Sequence, residues 1–469
     1  MTIHRPSTFA LLFGNRGFFP ASLIAGARQE LPAVLGGLGH EVLMMPEDAT
    51  RYGAVETIEE GRRYARFLLE NRGRYDGVIV SLPNFGDESG ASVALREAGV
   101  PVLVQAYPDE LDRMGPAHRR DSFCGKFSIM DVFCQYGIKF TALKPHTVHP
   151  RSPAFAGNID YFDRLCRVVR GMRNLTVGAI GARTTPFKTV RYDEITLQKH
   201  GITVEATDLS DLFRRVDKTD LNSQACRAKA AHLREYTRWD GVPDKSFSNL
   251  IRLAVVLDEV IAEFKLDALA LRCWTELQQN YGISPCVVTS ALMDALIPAA
   301  CETDVASAVA MHALGCASGR PTSILDWNNN YADQEDKCVL FHCGNVPASF
   351  MTGPGHISDH AILQNALGPG RGFGCNQGRI APFDFTYGGM ATLDAQVKFY
   401  LGQGRFTDDP LPEDFFGCAG VAQIDGLQDK LQQIGYAGHR HHVALTPGHV
   451  AAPMAEAFAK YLGYDVTVP

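Results

Sequence analysis

Four short apolar runs separated by segments with helical apolar spacing occupy the first quarter of the chain, and this alternation strongly constrains the fold. The runs are TFALLFGN (8–15), HEVLMMPE (40–47), DGVIVSLPN (76–84) and VPVLVQAY (100–107). Such alternation predicts a parallel sheet with helices on both faces. In that architecture, ligand groups collect where the strands end. Asn15, Arg16 and Asn84 occupy such positions.

The alternation resumes near residue 155 and changes character near residue 370. NLTVGAIGARTTPF (174–187), ITVEATD (202–208) and DALALRCW (267–274) read as strands, and SNLIRLAVVLDEVIAEFKL (248–266) as an amphipathic helix. After about 370, Gly and Pro become frequent and short alternating runs appear before a closing helix. We therefore expect an α/β protein with two Rossmann-like parallel-sheet domains, 1–154 and 155–368, and a small β-rich, barrel-like C-terminal domain, 369–469.

Composition excludes several classes of protein. The 469 residues are 46% hydrophobic and 21% charged, with a net charge of −7, so neither nucleic acid nor a membrane is expected as a partner. The N-terminus has no basic segment followed by a long apolar run, which predicts a cytoplasmic protein. The twelve cysteines form no CxxC pair, and we interpret them as reduced core thiols.

Two segments place carboxylates beside predicted elements. Glu302 and Asp304 open a helical segment in AACETDVASAVAMHALG (299–315), where acidic residues also complement the helix dipole. Asp326 follows an apolar run in PTSILDWNNNY, just before Trp327 and three asparagines. Because asparagines beyond a strand end are suited to holding a polar ligand, we favour a functional role for this second segment.

Histidines supply further candidates. His342 ends the apolar run in CVLFHCGNVP, where a core histidine with a hydrogen-bonded partner is the simpler interpretation. GYAGHRHHVALTPGHV (435–450) contains four histidines, of which His441 and His442 lead into an alternating run. Adjacent strand residues point to opposite faces, so we expect only one of this pair to face a given site. His356 and His360 form an H-x3-H spacing that is either coincidental or a substrate contact.

Glu302, Asp326 and one histidine of the pair together form an oxygen-rich ligand set with one nitrogen. Such a set suits Mn²⁺ or Mg²⁺ better than a structural zinc. Two carboxylates beside such an ion can also exchange a proton with a substrate.

These residues resemble motifs of the L-fucose isomerase and L-arabinose isomerase superfamily. The CETD segment resembles the E-x-D motif with the first metal-binding glutamate, Glu302 here. SILDW resembles the strand with the second acidic ligand, Asp326, and the histidine pair resembles one whose second member, His442, binds metal. His342 falls where the arabinose branch has a further histidine ligand. GNRGFFP, LPNFGDE, RRDSFCGK and GRIAPFDFTYG are similar to segments of a fucose isomerase-like branch.

The resemblance implies a metal-dependent aldose–ketose isomerase. The reaction would pass through a cis-enediol of an open-chain sugar, with Glu302 and Asp326 moving the proton between C2 and C1. The implied ion is Mn²⁺, or Mg²⁺ or Co²⁺. The substrate would be a pentose, a 6-deoxyhexose or a 6-sulfonated deoxyhexose such as sulfoquinovose. The resembling enzymes are homo-oligomers, so a hexamer or trimer with its active site near a subunit interface is implied.

Polar and aromatic side chains near these segments are expected to bind the substrate. They are Arg16, Lys126, Trp274, Gln278, Trp327, Asn328, Asn329 and His342. Packing is the alternative role for the tryptophans, and a solvated basic face is the alternative for Arg16 and Lys126. If a neighbouring chain contributes Arg16 or Lys126, a basic lid would suit an anionic sugar.

Two other functions stay open at this point. A sugar-binding protein on the same fold would bind sugar without a metal, but it would not need the acidic pair. A metal-dependent hydrolase or aldolase usually has denser histidine ligation, such as H-x-H after an early strand. The HRH at 439–441 has that spacing but lies late in the chain.

Overall fold

The computed structural model describes residues 5–469, which form two compact units. The first unit holds the chain up to Arg170 together with Lys460–Gly463, and the second holds Gly171–Ala459 and Tyr464–Pro469.

The first unit is built on a four-stranded parallel sheet. Its strands are β1 (Phe9–Phe13), β2 (Val42–Met44), β3 (Gly77–Leu82) and β4 (Val102–Ala106). Its helices are α1 (Ser22–Gly37), α2 (Ile58–Glu70), α3 (Glu88–Leu95), α4 (Ser122–Gln135) and α5 (Pro153–Met172), the last of which ends at the unit boundary. The strand order is β2-β1-β3-β4. Every residue of β1 and β3 is buried, as expected for parallel strands covered on both faces.

The second unit begins with another parallel sheet. Its strands are β5 (Leu175–Ile180), β6 (Ile202–Thr207), β7 (Ala268–Leu271) and β8 (Ala299–Ala300), in the order β6-β5-β7-β8. Its helices are α6 (Glu194–Lys199), α7 (Leu209–Lys218), α8 (Gln224–Tyr236), α9 (Asp244–Phe264), α10 (Glu276–Tyr281), α11 (Cys286–Asp294) and α12 (Val305–Ser318). The short β8 leads through a tight turn into α12, which is buried along nearly its whole length.

A β-barrel completes the second unit. The remaining strands are β9 (Ser323–Asn330), β10 (Lys337–His342), β11 (His356–Ser358), β12 (Cys375–Arg379), β13 (Asp384–Leu393), β14 (Gln396–Phe406), β15 (Cys418–Gln423), β16 (His442–Pro447) and β17 (Asp465–Thr467). The helices among them are α13 (Ala361–Leu367), α14 (Leu427–Tyr436) and α15 (Ala451–Glu456), the last continuing as a π-helix over Ala457–Leu462.

Strand pairing closes six of these strands into a ring. β9 pairs with β10 and β16, β13 joins β16 to β14, and β15 pairs with both β14 and β10. All six contacts are antiparallel, and side chains such as Leu325, Tyr387, Tyr400 and Leu445 fill the barrel core. The predicted fold class, two parallel-sheet regions followed by a barrel-like β-rich region, is therefore confirmed.

The barrel begins earlier in the chain than expected, because β9 and β10 precede residue 369. The expectation that a strand ends at Asp326 is wrong, since β9 continues to Asn330 and pairs with β10 across a register shift near Val339. The division into three domains at 154 and 368 stays a prediction. Across residues 5–469, the helices are all too short or too polar to span a bilayer.

A glycine contact between α2 and α3 gives a stability test. A Cβ atom built on Gly61 would lie 2.3 Å from the carbonyl oxygen of Gly90, whereas one on Gly26 in α1 would meet nothing within 4 Å. We expect Gly61→Ala to destabilise the first unit by about 1–3 kcal/mol through overpacking. Gly26→Ala, the matched control, should stabilise it by about 0.5–1 kcal/mol. Thermal unfolding measures both, and equal stability of the two variants would contradict this packing.

Candidate metal centre and active site

A strained turn presents the first carboxylate. Glu302 and Thr303 join β8 to α12 with φ angles of 57° and 60°, in the left-handed region that non-glycine residues rarely adopt. The Thr303 N–H donates to the carbonyl of Leu271 at the end of β7 (3.2 Å). The turn is thereby fixed to the sheet edge, and Glu302 is buried there, with 7% of its surface exposed.

Strand register presents the second carboxylate and a histidine. Asp326 on β9 lies directly opposite His442, the first residue of β16, and opposed residues of antiparallel strands share a face. His442 Nε2 lies 3.4 Å from Asp326 Oδ1 and 3.8 Å from Glu302 Oε2. The barrel edge and the strained turn therefore meet at one point.

His342 approaches the same point from the end of β10. Its Nε2 lies 3.7 Å from Glu302 Oε2, and its Nδ1 accepts the backbone N–H of Cys343 (2.9 Å). A neutral imidazole that accepts at Nδ1 carries its proton on Nε2. His342 is therefore oriented to donate a hydrogen bond into the site.

Asp304 gives His442 the opposite tautomer. Asp304 is fully buried and caps α12, and its Oδ2 accepts from His442 Nδ1–H (2.7 Å). Its other oxygen forms an ion pair with the buried Arg440. In its neutral form, with the proton on Nδ1, His442 directs the lone pair of Nε2 toward Glu302 and Asp326. A carboxylate behind a histidine is the usual arrangement for a metal ligand.

The carboxylates are ionised in this environment. Burial raises the pKa of Glu302, but the nearby imidazoles of His342 and His442 outweigh burial and bring the pKa to about 2. Burial likewise opposes ionisation of Asp304, yet Arg440 and His442 hold its pKa well below the usual range. Burial lowers the pKa of His442, but the Asp304 hydrogen bond and charge dominate and raise it.

Unpartnered atoms at this point fit a divalent cation. Glu302 Oε2, Asp326 Oδ1 and His342 Nε2 are buried without a hydrogen-bond partner, which is costly unless another group satisfies them. Ligands at about 2.0–2.2 Å from a common ion lie roughly 3 Å apart, slightly closer than the separations here. Two carboxylates and an imidazole form a donor set suited to Mn²⁺ or Mg²⁺.

Thiols border the site on another side. Cys273 Sγ donates to Glu302 Oε1 (3.4 Å), and ligand atoms of Cys273, Cys301 and Glu302 lie within 4.8 Å of one another. Ligand atoms of Glu302, His342 and His442 also lie within 4.8 Å of one another. So do ligand atoms of Asp326, His441 and His442. Glu302 and His442 are each common to two of these groups.

Both members of the histidine pair face the site. His441 Nε2 lies 3.5 Å from Asp326 Oδ1, almost as close as His442. The expectation that only one of them could face the site is wrong, because β16 begins at His442 and strand alternation does not extend back to His441. His356 and His360 do not form a pair: His356 is exposed on β11, and His360 caps α13.

Some of the predicted substrate-binding residues lie near the centre. Trp274 contacts the ring of Phe187 (6.0 Å between centroids), which in turn contacts His442 (5.7 Å). Gln278 is buried and donates to the Cys273 carbonyl (2.9 Å), so its amide nitrogen is occupied while its Oε1 has no partner.

Three other predicted residues lie further along β9. Trp327 packs against the barrel core with its ring edge-to-face with Tyr387 (5.4 Å). Asn328 and Asn329 are exposed, and their side chains bond to each other. Packing therefore accounts for Trp327, and the structure does not bring the two asparagines to Glu302.

Arg16 and Lys126 belong to the first unit, and both have partners there. Arg16 pairs with Glu88 and lies over the ring of Phe85 (4.3 Å). Lys126 lies within α4, and its buried ammonium donates to the His146 carbonyl (2.8 Å), so Lys126 is not part of a solvated basic face. Burial lowers the pKa of Lys126 to about 8.

Sequence reasoning missed several side chains of the centre. The sequence predicts for Asp304 only a place beside the helix dipole, and it indicates no site role for Arg440, Phe187 or Cys273. The E-x-D spacing and the arginine next to the histidine pair were the available signals. Neither signal reveals that Asp304 and Arg440 meet, because the two residues are far apart in the chain. Asp304 follows a strand of the parallel sheet, whereas Arg440 precedes a strand of the barrel.

Asp304 should control metal affinity without contacting the ion. We expect Asp304→Asn to lower Mn²⁺ affinity about 10–100-fold and to cost about 3–5 kcal/mol of stability, because Arg440 loses its buried partner. Titration of the free Mn²⁺ EPR signal and thermal unfolding measure the two effects. Asp87→Asn, which changes the cap of α3 through its bond to Gly90, is the control. Wild-type Mn²⁺ affinity in Asp304→Asn would contradict this role.

Comparison with known families adds to this geometry. Residues 10–173 match the family described as "Fucose/sulfoquinovose isomerase, N-terminal domain", and residues 340–468 match "L-fucose isomerase, C-terminal domain". Together the matches span more than half of the chain. Glu302 and Asp326 lie between the two matched ranges, whereas His342 and His442 lie within the second.

Curated relatives belong to the same group. A sulfoquinovose isomerase of Clostridium sp. (strain MSTE9) is 28% identical over 58% of this chain and 60% of its own length. Sulfoquinovose isomerases of Priestia aryabhattai and Alkalicoccus urumqiensis are 22% and 23% identical, over 86% and 83% of this chain and 87% and 85% of their own lengths. The chain therefore belongs to the fucose/sulfoquinovose isomerase family, whose members are aldose–ketose isomerases.

Proposed function

We propose that the protein is a divalent-metal-dependent isomerase that interconverts sulfoquinovose, a 6-sulfonated deoxyhexose, and its ketose. The observation that carries this proposal is the convergence of Glu302, Asp326 and His442 around unpartnered buried atoms, with Asp304 orienting the histidine. The names of the relatives support the sulfonated substrate. Pentoses and uncharged 6-deoxyhexoses are the alternative substrates.

Glu302, Asp326 and His442 Nε2 would hold the ion, with Mn²⁺ as the first choice and Mg²⁺ or Co²⁺ as alternatives. When bound, the ion supplies positive charge beside O1 and O2 of the open-chain sugar, where negative charge develops during proton transfer. Glu302 and His442 are buried, and electrostatic interactions are stronger in a buried region than in water.

The same carboxylates are positioned to move a proton between C2 and C1 through a cis-enediol. Glu302 is ionised at neutral pH, as a proton acceptor must be. Asp326 is the more open of the two, with 21% of its side chain exposed against 9% for Glu302. His342 would donate its Nε2–H to a sugar oxygen, which agrees with a substrate-binding role.

Other details of the assignment stay predictions. They are Mn²⁺ as the physiological ion, assembly into a hexamer or trimer with a shared active site, contacts from Arg16 or Lys126 of a neighbouring chain, and a cytoplasmic location.

The function is tested by following deuterium incorporation in D₂O by NMR with metal-stripped protein, with and without Mn²⁺. We expect Mn²⁺-dependent incorporation at C2 of sulfoquinovose, or at C1 of its ketose. Glu302→Gln should lower the rate about 10²–10⁴-fold, because it removes an ionised carboxylate needed for proton transfer. Glu59→Gln, which changes an exposed glutamate on α2, is the control and should retain the wild-type rate.

The competing functions give different results in this assay. A sugar-binding protein would bind sulfoquinovose without Mn²⁺ and exchange no deuterium. A hydrolase or aldolase would release new products instead of a ketose isomer. Substantial activity in Glu302→Gln would refute its proposed role.

The two histidines should separate metal binding from catalysis, because their tautomers differ. We expect His442→Ala to weaken Mn²⁺ binding about 10–100-fold or more, since it removes a ligand lone pair. His342→Ala should leave Mn²⁺ affinity within about threefold of wild type and lower kcat about 10–100-fold, the effect of losing a hydrogen bond to charge. EPR titration and steady-state kinetics measure the two quantities. Equal loss of Mn²⁺ affinity in both variants would make His342 a ligand.

A further inference from the structure

A cavity of about 710 Å³ opens beside the metal centre in the second unit. It lies at the carboxyl ends of β5 and β6, where ligands collect in α/β sheets. Its polar lining comes from the segment 181–192, which follows β5, from the segment after β6, and from the strained turn. The residues concerned are Arg183, Arg191, Tyr192, Thr207, Asp208 and Thr303.

Two residues of the segment 181–192, Phe187 and Arg191, contact residues of the metal centre. The ring of Phe187 lies 5.4 Å from that of His441 and 5.7 Å from that of His442. The carbonyl of Arg191 accepts a hydrogen bond from Arg440 (3.2 Å), the partner of Asp304. Thr303, which lines the cavity, directly follows Glu302. The cavity is therefore adjacent to the carboxylate that would hold the ion.

The cavity has charges that favour an anion. Arg183 and Arg191 of the segment 181–192 line the cavity, together with one carboxylate, Asp208. The Arg183 guanidinium donates to the carbonyls of Thr184 and Thr185, and the Arg191 guanidinium donates to that of Lys188. Within residues 5–469, neither arginine has an ion pair with a carboxylate. Because a backbone carbonyl is neutral, these hydrogen bonds leave the positive charges of Arg183 and Arg191 uncompensated.

The other polar groups are compatible with this charge. Thr303 Oγ1 is buried without a partner, with 4% of the residue exposed, so a hydroxyl donor is available on the side nearest Glu302. The one carboxylate in the lining, Asp208, already accepts the N–H of Ser210 (2.7 Å) as the cap of α7. The two positive charges of Arg183 and Arg191 exceed the single negative charge of Asp208.

We propose that this cavity binds the sulfonate at C6 of the substrate, with Arg183 and Arg191 as the charged contacts and Thr303 as a hydroxyl donor. The inference rests on the proposed function. A hexose held at O1 and O2 by the metal centre extends its C6 end away from that centre, and the cavity lies on one side of it. Planar guanidinium groups bind tetrahedral oxyanions through paired hydrogen bonds.

Kinetics with matched substrates test this assignment. The substrates are sulfoquinovose, 6-deoxyglucose, which lacks the charge, and glucose 6-phosphate, which carries a different anion. We expect Arg183→Gln and Arg191→Gln each to raise KM for sulfoquinovose roughly 10–100-fold, as expected for a lost charged hydrogen bond, and to leave kcat/KM for 6-deoxyglucose within about threefold. Lys188→Gln is the control, because Lys188 is on the same segment but does not line the cavity.

Mn²⁺ affinity, measured by EPR, should be the same in all of these variants, which excludes damage to the metal centre. Unchanged preference for sulfoquinovose over 6-deoxyglucose in the double variant would overturn the inference. A wild-type preference for glucose 6-phosphate over sulfoquinovose would overturn the choice of sulfonate.

Calorimetric binding of sulfoquinovose distinguishes this inference from the proposed function. If the wild type binds sulfoquinovose but does not isomerise it, and both arginine variants bind it more weakly, the cavity assignment holds and the proposed function fails. If isomerisation and binding are unaffected by either arginine, the function holds and the cavity assignment fails.

Discussion

The hydrogen bond between Asp304 and His442 is the contact on which the centre depends. Asp304 follows the parallel sheet at the start of α12, and His442 begins a barrel strand, so the bond joins the two sheets of the second unit. It also sets the histidine tautomer, since Nδ1 must carry the proton. One contact therefore determines both where the imidazole lies and which nitrogen is free to bind a cation.

Arg440 makes that contact possible at neutral pH. A fully buried carboxylate beside an imidazole would be costly to ionise alone, and the guanidinium two residues before His442 compensates its charge. The other terminal nitrogen of Arg440 donates to the Arg191 carbonyl. The Arg440 side chain thus contacts the candidate metal centre on one side and the segment 181–192 on the other.

The parts of this arrangement that are local in sequence could be predicted, and those that depend on distant contacts could not. Seven of the eight strands of the parallel sheets follow from apolar runs, most clearly β1 and β3, where burial on both faces removes polar residues. The two-residue β8 was not predicted, because it lies in a segment with helical spacing. Glu302, Asp326 and His442 were singled out by residue type and by motif, and the structure brings them together. Barrel closure between β14 and β15 has no local signal. The same holds for the pairing of His442 with Asp326, which depends on register between strands far apart in the chain.

Lys126 and Trp327 illustrate why residue type alone misleads. A lysine near an arginine pair suggests a solvent-exposed basic surface, yet α4 buries its ammonium against a backbone carbonyl. A tryptophan next to an acidic ligand suggests a sugar platform, yet strand alternation turns Trp327 into the barrel, because Asp326 already occupies the face toward the site. The segment 181–192 shows the converse, since its arginines follow a strand without any recognised motif. Under the proposed assignment, selectivity for a charged substrate resides in the segment 181–192, which is separate in sequence from Glu302, Asp326 and His442.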